Sequence, residues 1–164
     1  VPDKKIADNA LSADDRALQF VYGQPMYQFT LNVKFDAPLS RLFDAWHKPE
    51  LMQQWWAPGD MLVAQLMSSF QEGGKFRLVM QDTDFNHHIV MGEYLQIKDN
   101  EKLVFSWQWQ GSELVTEVSL DFAGINQHTS ELTLTHSGFT DQAMADDHQA
   151  GWIGCLEKLS LLTL

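Results

Sequence analysis

Residues 140–164, TDQAMADDHQAGWIGCLEKLSLLTL, decide the fold. Met144, His148, Gly151, Trp152, Cys155, Leu156, Leu159 and Leu162 recur at spacings of three and four. Such spacing draws one wide apolar stripe along a helix of roughly 23 residues. Thr140 is placed to cap that helix, and Asp141 suits the positive end of its dipole. Gly151 lies near the edge of the stripe and Gly154 just outside it. A glycine inside a helix costs about 1 kcal/mol relative to alanine, so a second element is expected to approach closely at both.

The residues upstream say what the stripe has to cover. MLVAQLMSSF, KFRLVMQD, HIVMGEYLQI, KLVFSWQW, ELVTEVSLDF and SELTLTHSGF follow one another from residue 61 to residue 139. The turn signals between them, EGGK, DTDFN, KDNE, QGS and AGINQ, are short enough for hairpins, so the segments read as an antiparallel meander. Further upstream, MYQFTLNVKF (26–35) alternates, with Tyr27, Phe29, Leu31, Val33 and Phe35 on one face of a seventh strand. A helical pattern then runs through Leu39, Leu42, Phe43 and Trp46, and Pro49 opens a second short helix, PELMQQWW. No β–α–β alternation appears, which argues against a parallel sheet and its nucleotide crevice. An α+β fold follows: a curved seven-stranded antiparallel sheet with one face to cover, wrapped around the only long helix. Residues 1–25 read as an N-terminal extension, with Ser12 placed to cap a short helix and ALQFVY as the competing short strand.

The chain has 164 residues, enough for one domain with a proper core, and 45% of them are hydrophobic. Eleven basic residues stand against 22 acidic ones, a formal charge of −11. That surface repels phosphates and anionic lipid, so nucleic acid is not an expected partner. No apolar run is long enough to span a bilayer, so membrane insertion is not expected either. One cysteine, Cys155, cannot form an internal disulfide, and a cytoplasmic location is the expectation.

Several separated stretches resemble one known family. GGKFRLVM, HxxxGEYLQI, EKLVFSWQW, LTLTHSGF and HQAGWIGCLEKL occur in the order and spacing of a branch of the START/birch-pollen-allergen superfamily. That branch is the bacterial set similar to the C-terminal domain of the heat-shock protein 90 ATPase activator. FDAPLSRLFDAWHKPELMQQWW looks like the same family's first strand and helix pair, so the resemblance covers about residues 26 to 164. It implies a single helix-grip domain with a cavity between sheet and long helix, in which members carry lipids, sterols, hormones or polyketides, or act as cyclases. The branch also implies a chaperone as a conceivable protein partner.

Strand alternation nominates the concave face independently of the family. Phe76, Leu78 and Met80 share one side of their strand; Phe105, Trp107 and Trp109 share one side of theirs, and Leu120 follows the same rule with Val118 and Phe122. Leu132 and Leu134 set a parity that carries His136 inward. In HIVMGEYLQI a placement with Glu93 outward turns His88 and Tyr94 inward, although Ile89, Met91 and Leu95 make the strand ambiguous. The helix adds Met144, His148 and Trp152, and Trp55, rather than its neighbour Trp56, is expected to close one end of the cavity. The aromatic surplus on this face reads either as core or as the wall of an apolar site.

The inward polar groups carry the choice of chemistry, because each needs a partner. His148 is either a hydrogen-bonded core histidine or a polar anchor, and His136, His148 or Tyr94 are the candidates for acid–base work in a cyclase- or hydratase-like site. His87 and His88 point to opposite faces of one strand, so no metal site is expected, and no cofactor motif is present. Three readings follow: a non-enzymatic binder of a small hydrophobic or amphipathic molecule, an interaction protein acting on a chaperone or other protein, and an enzyme using the same cavity. The first is the leading one.

Overall fold

The computed structural model describes residues 19–21 and 24–164. The helix considered from Ser12 lies outside the described residues. The alternative strand there does form: β1 (Gln19–Val21) pairs antiparallel with the start of β2 (Gln24–Phe35). After β2 come the short helices α1 (Leu39–Asp44) and α2 (Pro49–Met52). The meander then runs through β3 (Leu62–Ser68), β4 (Lys75–Gln81), β5 (His87–Lys98), β6 (Lys102–Trp109), β7 (Thr116–Gly124) and β8 (Ser130–Phe139). Helix α3 (Gln142–Leu161) closes the chain. The sheet order is β1-β2-β8-β7-β6-β5-β4-β3, so the seven expected strands form one antiparallel sheet, and β1 extends it past β2.

Alternation explains why one face of this sheet belongs to the core. In β2, Phe29, Leu31, Val33 and Phe35 are buried. The residues between them pair across the outer face with β8, Asn32 Nδ2 donating to Glu131 Oε1 at 2.6 Å and to Thr133 Oγ1 at 2.9 Å. The same two-residue period buries Val118, Leu120 and Phe122 in β7 and Leu132, Leu134 and His136 in β8. Against that face α3 buries Ala145, Trp152, Cys155, Leu156 and Leu159. Its cap is Asp141 rather than Thr140: the Asp141 carboxylate accepts from the Met144 N–H at 3.2 Å.

Two local departures from regular periodicity matter for the site. In β5 the register against β6 shifts between Tyr94 and Gln96. Val90 and Tyr94 face inward before the shift, whereas Ile97 is the residue packed against the core after it. The other departure is α2, which ends at Met52 and continues as turns bonded three residues back, Gln54 N–H to Leu51 O and Trp55 N–H to Met52 O. The expected second helix through Trp56 is therefore cut short. A helical projection of Trp55 and Trp56 no longer applies, and both indoles are buried.

Candidate functional site

Between α3 and the open half of the sheet lies a recess of about 220 Å³. One wall is the loop from α2 to β3, which supplies Trp56, Pro58 and Met61. The floor is Met80 of β4, His88 of β5 and Trp107 and Trp109 of β6, and the other wall is Asp147, His148, Gly151, Trp152 and Cys155 on α3. Gly151 matters most for the space, because a Cβ added there would meet nothing within 4 Å. The close approach expected at both helix glycines exists only at Gly154, where an added Cβ would come within 3.1 Å of Pro58 Cβ. Gly154 seats the loop against the helix; Gly151 leaves the recess open.

The loop wall is fastened. Lys158 Nζ donates to the carbonyl oxygens of Ala57 and Met61, the latter at 2.8 Å. This ammonium satisfies two carbonyls that the loop leaves unpaired, and it is committed to them rather than to the recess. Cys155, also in the wall, has its thiol pushed up to about 12 by burial, against a smaller opposing pull from Lys158. It is a neutral apolar group at physiological pH and no nucleophile.

Two histidines sit on this side of the core, and their partners fix their tautomers. His136 is fully buried; its Nδ1 accepts from Trp152 Nε1 at 3.1 Å. Its Nε2 must then carry the proton, which it gives to Thr116 Oγ1 at 2.7 Å, while that hydroxyl donates to Trp107 O at 3.2 Å. His148 has the opposite tautomer: Nε2 accepts from Trp109 Nε1 at 2.8 Å and Nδ1 donates to Met144 O at 2.7 Å. Burial drives the pKa of His136 well below its usual value, with repulsion from His148 adding to it. Burial also lowers His148, with the Met144 carbonyl and Asp147 opposing it. Both are neutral rings held by tryptophan N–H groups, with every ring nitrogen engaged.

All six tryptophans of the chain belong to one cluster. Ring centroids close a loop: Trp46–Trp55 at 4.5 Å, Trp55–Trp56 at 6.0 Å, Trp56–Trp107 at 6.3 Å, Trp107–Trp152 at 5.3 Å and Trp152–Trp46 at 5.9 Å. Trp109 hangs from Trp107 at 5.7 Å. Trp55 donates to Ala45 O at 3.0 Å and ties the end of α1 to the turn after α2. The Nε1 atoms of Trp46, Trp56 and Trp107 are buried without a hydrogen-bond partner.

Six of the residues nominated from the sequence line the recess: Met80, His88, Trp107, Trp109, His148 and Trp152. His88 does so from an exposed position, with Nε2 against Asp82 Oδ2 at 2.9 Å. That contact, with backbone N–H groups of the following turn, holds the Asp82 carboxyl down to about 2. Phe76, Leu78, Phe105, Leu120 and Leu134 lie elsewhere in the packed core. Tyr94, 1% exposed, turns its hydroxyl to Ser68 Oγ at 2.7 Å, away from the lining. His136 lies behind Trp152, and Trp55 behind Trp56. Met144 is 36% exposed and its side chain borders a smaller recess beside Ser112 and Leu114. The lining residues missed in the sequence are Trp56, Pro58, Met61, Asp147, Gly151 and Cys155. A glycine on the inner stripe of the helix was the available signal for Gly151; the loop residues carried none, because they follow a prematurely ended helix.

Among the described residues no helix is long and apolar enough to cross a membrane, and no three His, Cys, Asp or Glu side chains gather to hold a metal ion. No curated protein matches the sequence. Solved structures share the fold at low identity. A protein named AHSA1 (SPO3351) from Silicibacter pomeroyi is 23% identical with a TM-score of 0.74, covering 81% of this chain and 94% of its own. Protein CV1439 from Chromobacterium violaceum is 18% identical with the same TM-score and the same coverage. CalU16 from Micromonospora echinospora is 21% identical with a TM-score of 0.66, covering 86% of this chain and 78% of its own. The family model described as "Activator of Hsp90 ATPase homolog 1-like protein" matches residues 36–163, nearly the whole described chain, and the protein belongs to that family.

Proposed function

We propose that the protein is a binding protein that holds a small hydrophobic or amphipathic molecule between sheet and α3, and that it catalyses no reaction. The observation that carries this reading is the recess opened by Gly151, walled by indole, methionine and proline surface. Its volume of about 220 Å³ lies below that of drug-sized sites, so the guest is small. The acid–base alternative loses its reagents, because His136 and His148 have both ring nitrogens engaged and Tyr94 points elsewhere. The test is native mass spectrometry of freshly purified protein, with chemical-shift mapping of the Trp107, Trp109 and Trp152 indoles across a panel of small lipophilic compounds. A retained mass or shifts confined to these indoles supports the reading; a silent panel ends it. The docking alternative draws on the family alone, and an unchanged chaperone ATPase rate in the presence of the protein would remove it.

A further inference from the structure

We infer that the guest of this recess is a lipophilic cation, a protonated amine or quaternary ammonium on a small apolar frame, and not a carboxylate. This rests on the binding function proposed above and gives its ligand a charge.

Four indoles line the space: Trp56, Trp107, Trp109 and Trp152. An indole offers a guest two things, an N–H donor and the negative face of its ring. Here no donor is on offer. Trp109 and Trp152 spend theirs on His148 and His136, while those of Trp56 and Trp107 are buried out of reach. The His148 N–H is spent on the Met144 carbonyl. The Lys158 ammonium is turned to Ala57 and Met61. A guest carboxylate would therefore enter without a strong donor to meet it and would forfeit its hydration. A cation is instead attracted by the quadrupoles of indole rings, and four indoles belong to the lining.

The charge at the rim has the same sign preference. Asp147 is exposed at the edge of the recess. His88, also in the lining, is backed by the Asp82 carboxylate at 2.9 Å. The rim is acidic in sum, and the net charge of −11 steers cations toward it.

Three probes with one frame test this: 3-phenylpropylammonium, 3-phenylpropanol and 3-phenylpropanoate, titrated by calorimetry against the whole protein at 0.15 M salt. The ammonium is expected to bind roughly ten-fold or more tightly than the alcohol, with the carboxylate weakest. Asp147→Asn should lower the ratio of ammonium to alcohol affinity, and Gly151→Leu, which fills the recess, should abolish binding of all three. An alcohol or carboxylate that binds as tightly as the ammonium overturns the charge assignment and leaves the binding function standing. An ammonium preference that survives Gly151→Leu overturns it too, because it then belongs to the acidic surface and not to the recess. Failure of all three probes to bind removes the binding function and the assignment with it.

Discussion

Gly151 and Gly92 are both glycines inside regular elements, and a side chain would fare in opposite ways at the two positions. At Gly92 in β5 an added Cβ would lie 2.0 Å from the Ser106 carbonyl oxygen and 2.3 Å from the Phe76 ring. Gly92→Ala is expected to destabilise the protein by at least about 3 kcal/mol in urea denaturation. At Gly151 nothing is within 4 Å, so Gly151→Ala should stabilise it by about 1 kcal/mol, a rise in Tm of about 2–4 °C. The helix thus keeps a weaker residue where a stronger one fits, which is understandable if the space itself is used. His136 gives a residue-scale pH dependence. Its folded pKa is depressed below the ordinary 6.5, so the unfolded chain takes up the proton first as pH falls. Its contribution to stability is whole above about pH 6.5 and is lost progressively below, and His148 acts in the same direction. The urea midpoint should therefore fall between pH 7 and pH 5, and His136→Gln should flatten that slope whatever it does to the midpoint at pH 7. The inward parity of His136 was legible from Leu132 and Leu134 alone. Its role was not, since the partners Thr116 and Trp152 lie on other elements and no spacing in the sequence connects them.

At the scale of elements, the strands were read correctly wherever alternation was unbroken, as in β2, β7 and β8. HIVMGEYLQI resisted because a register shift after Tyr94 moves the inward position from an even to an odd residue, and a period of two cannot describe both halves. Trp56 was misplaced for a related reason: α2 stops after Met52, and a projection that assumes helix through residue 56 orients the wrong indole. Both errors arise where the backbone leaves its period, and the second of these places, the turn after α2, leads into the wall of the recess. The loop that follows α2 depends on α3 for its position. Lys158→Met, which keeps the stem and deletes the ammonium, should cost about 1.5–3 kcal/mol through the two orphaned carbonyls of Ala57 and Met61. The same variant should speed hydrogen exchange at the Met61 amide, which is held only by the Pro58 carbonyl inside that loop.

Over the whole molecule, the fold was available from the order of patterns: one strand, two short helices, six hairpin-linked strands and one long helix admit few arrangements. The recess was not available, because its volume is a small remainder left after packing sheet against helix, and its lining comes from five separate parts of the chain. A guest that occupies it binds only the folded state, so saturation should raise Tm in proportion to the logarithm of ligand concentration. A hundred-fold excess over Kd corresponds to about 2.7 kcal/mol, readable by scanning calorimetry.

The closed loop of tryptophans has an optical consequence. Five indoles with neighbouring centroids between 4.5 and 6.3 Å apart absorb as a coupled set, so excitation of any one migrates to the others before emission. The folded protein should show an intense near-ultraviolet circular dichroism band and strongly depolarised fluorescence. Replacing Trp107, where the loop meets Trp109, with Phe should collapse far more than one sixth of the dichroic signal. The molecule reports on itself in light as a single chromophore, placed against the recess.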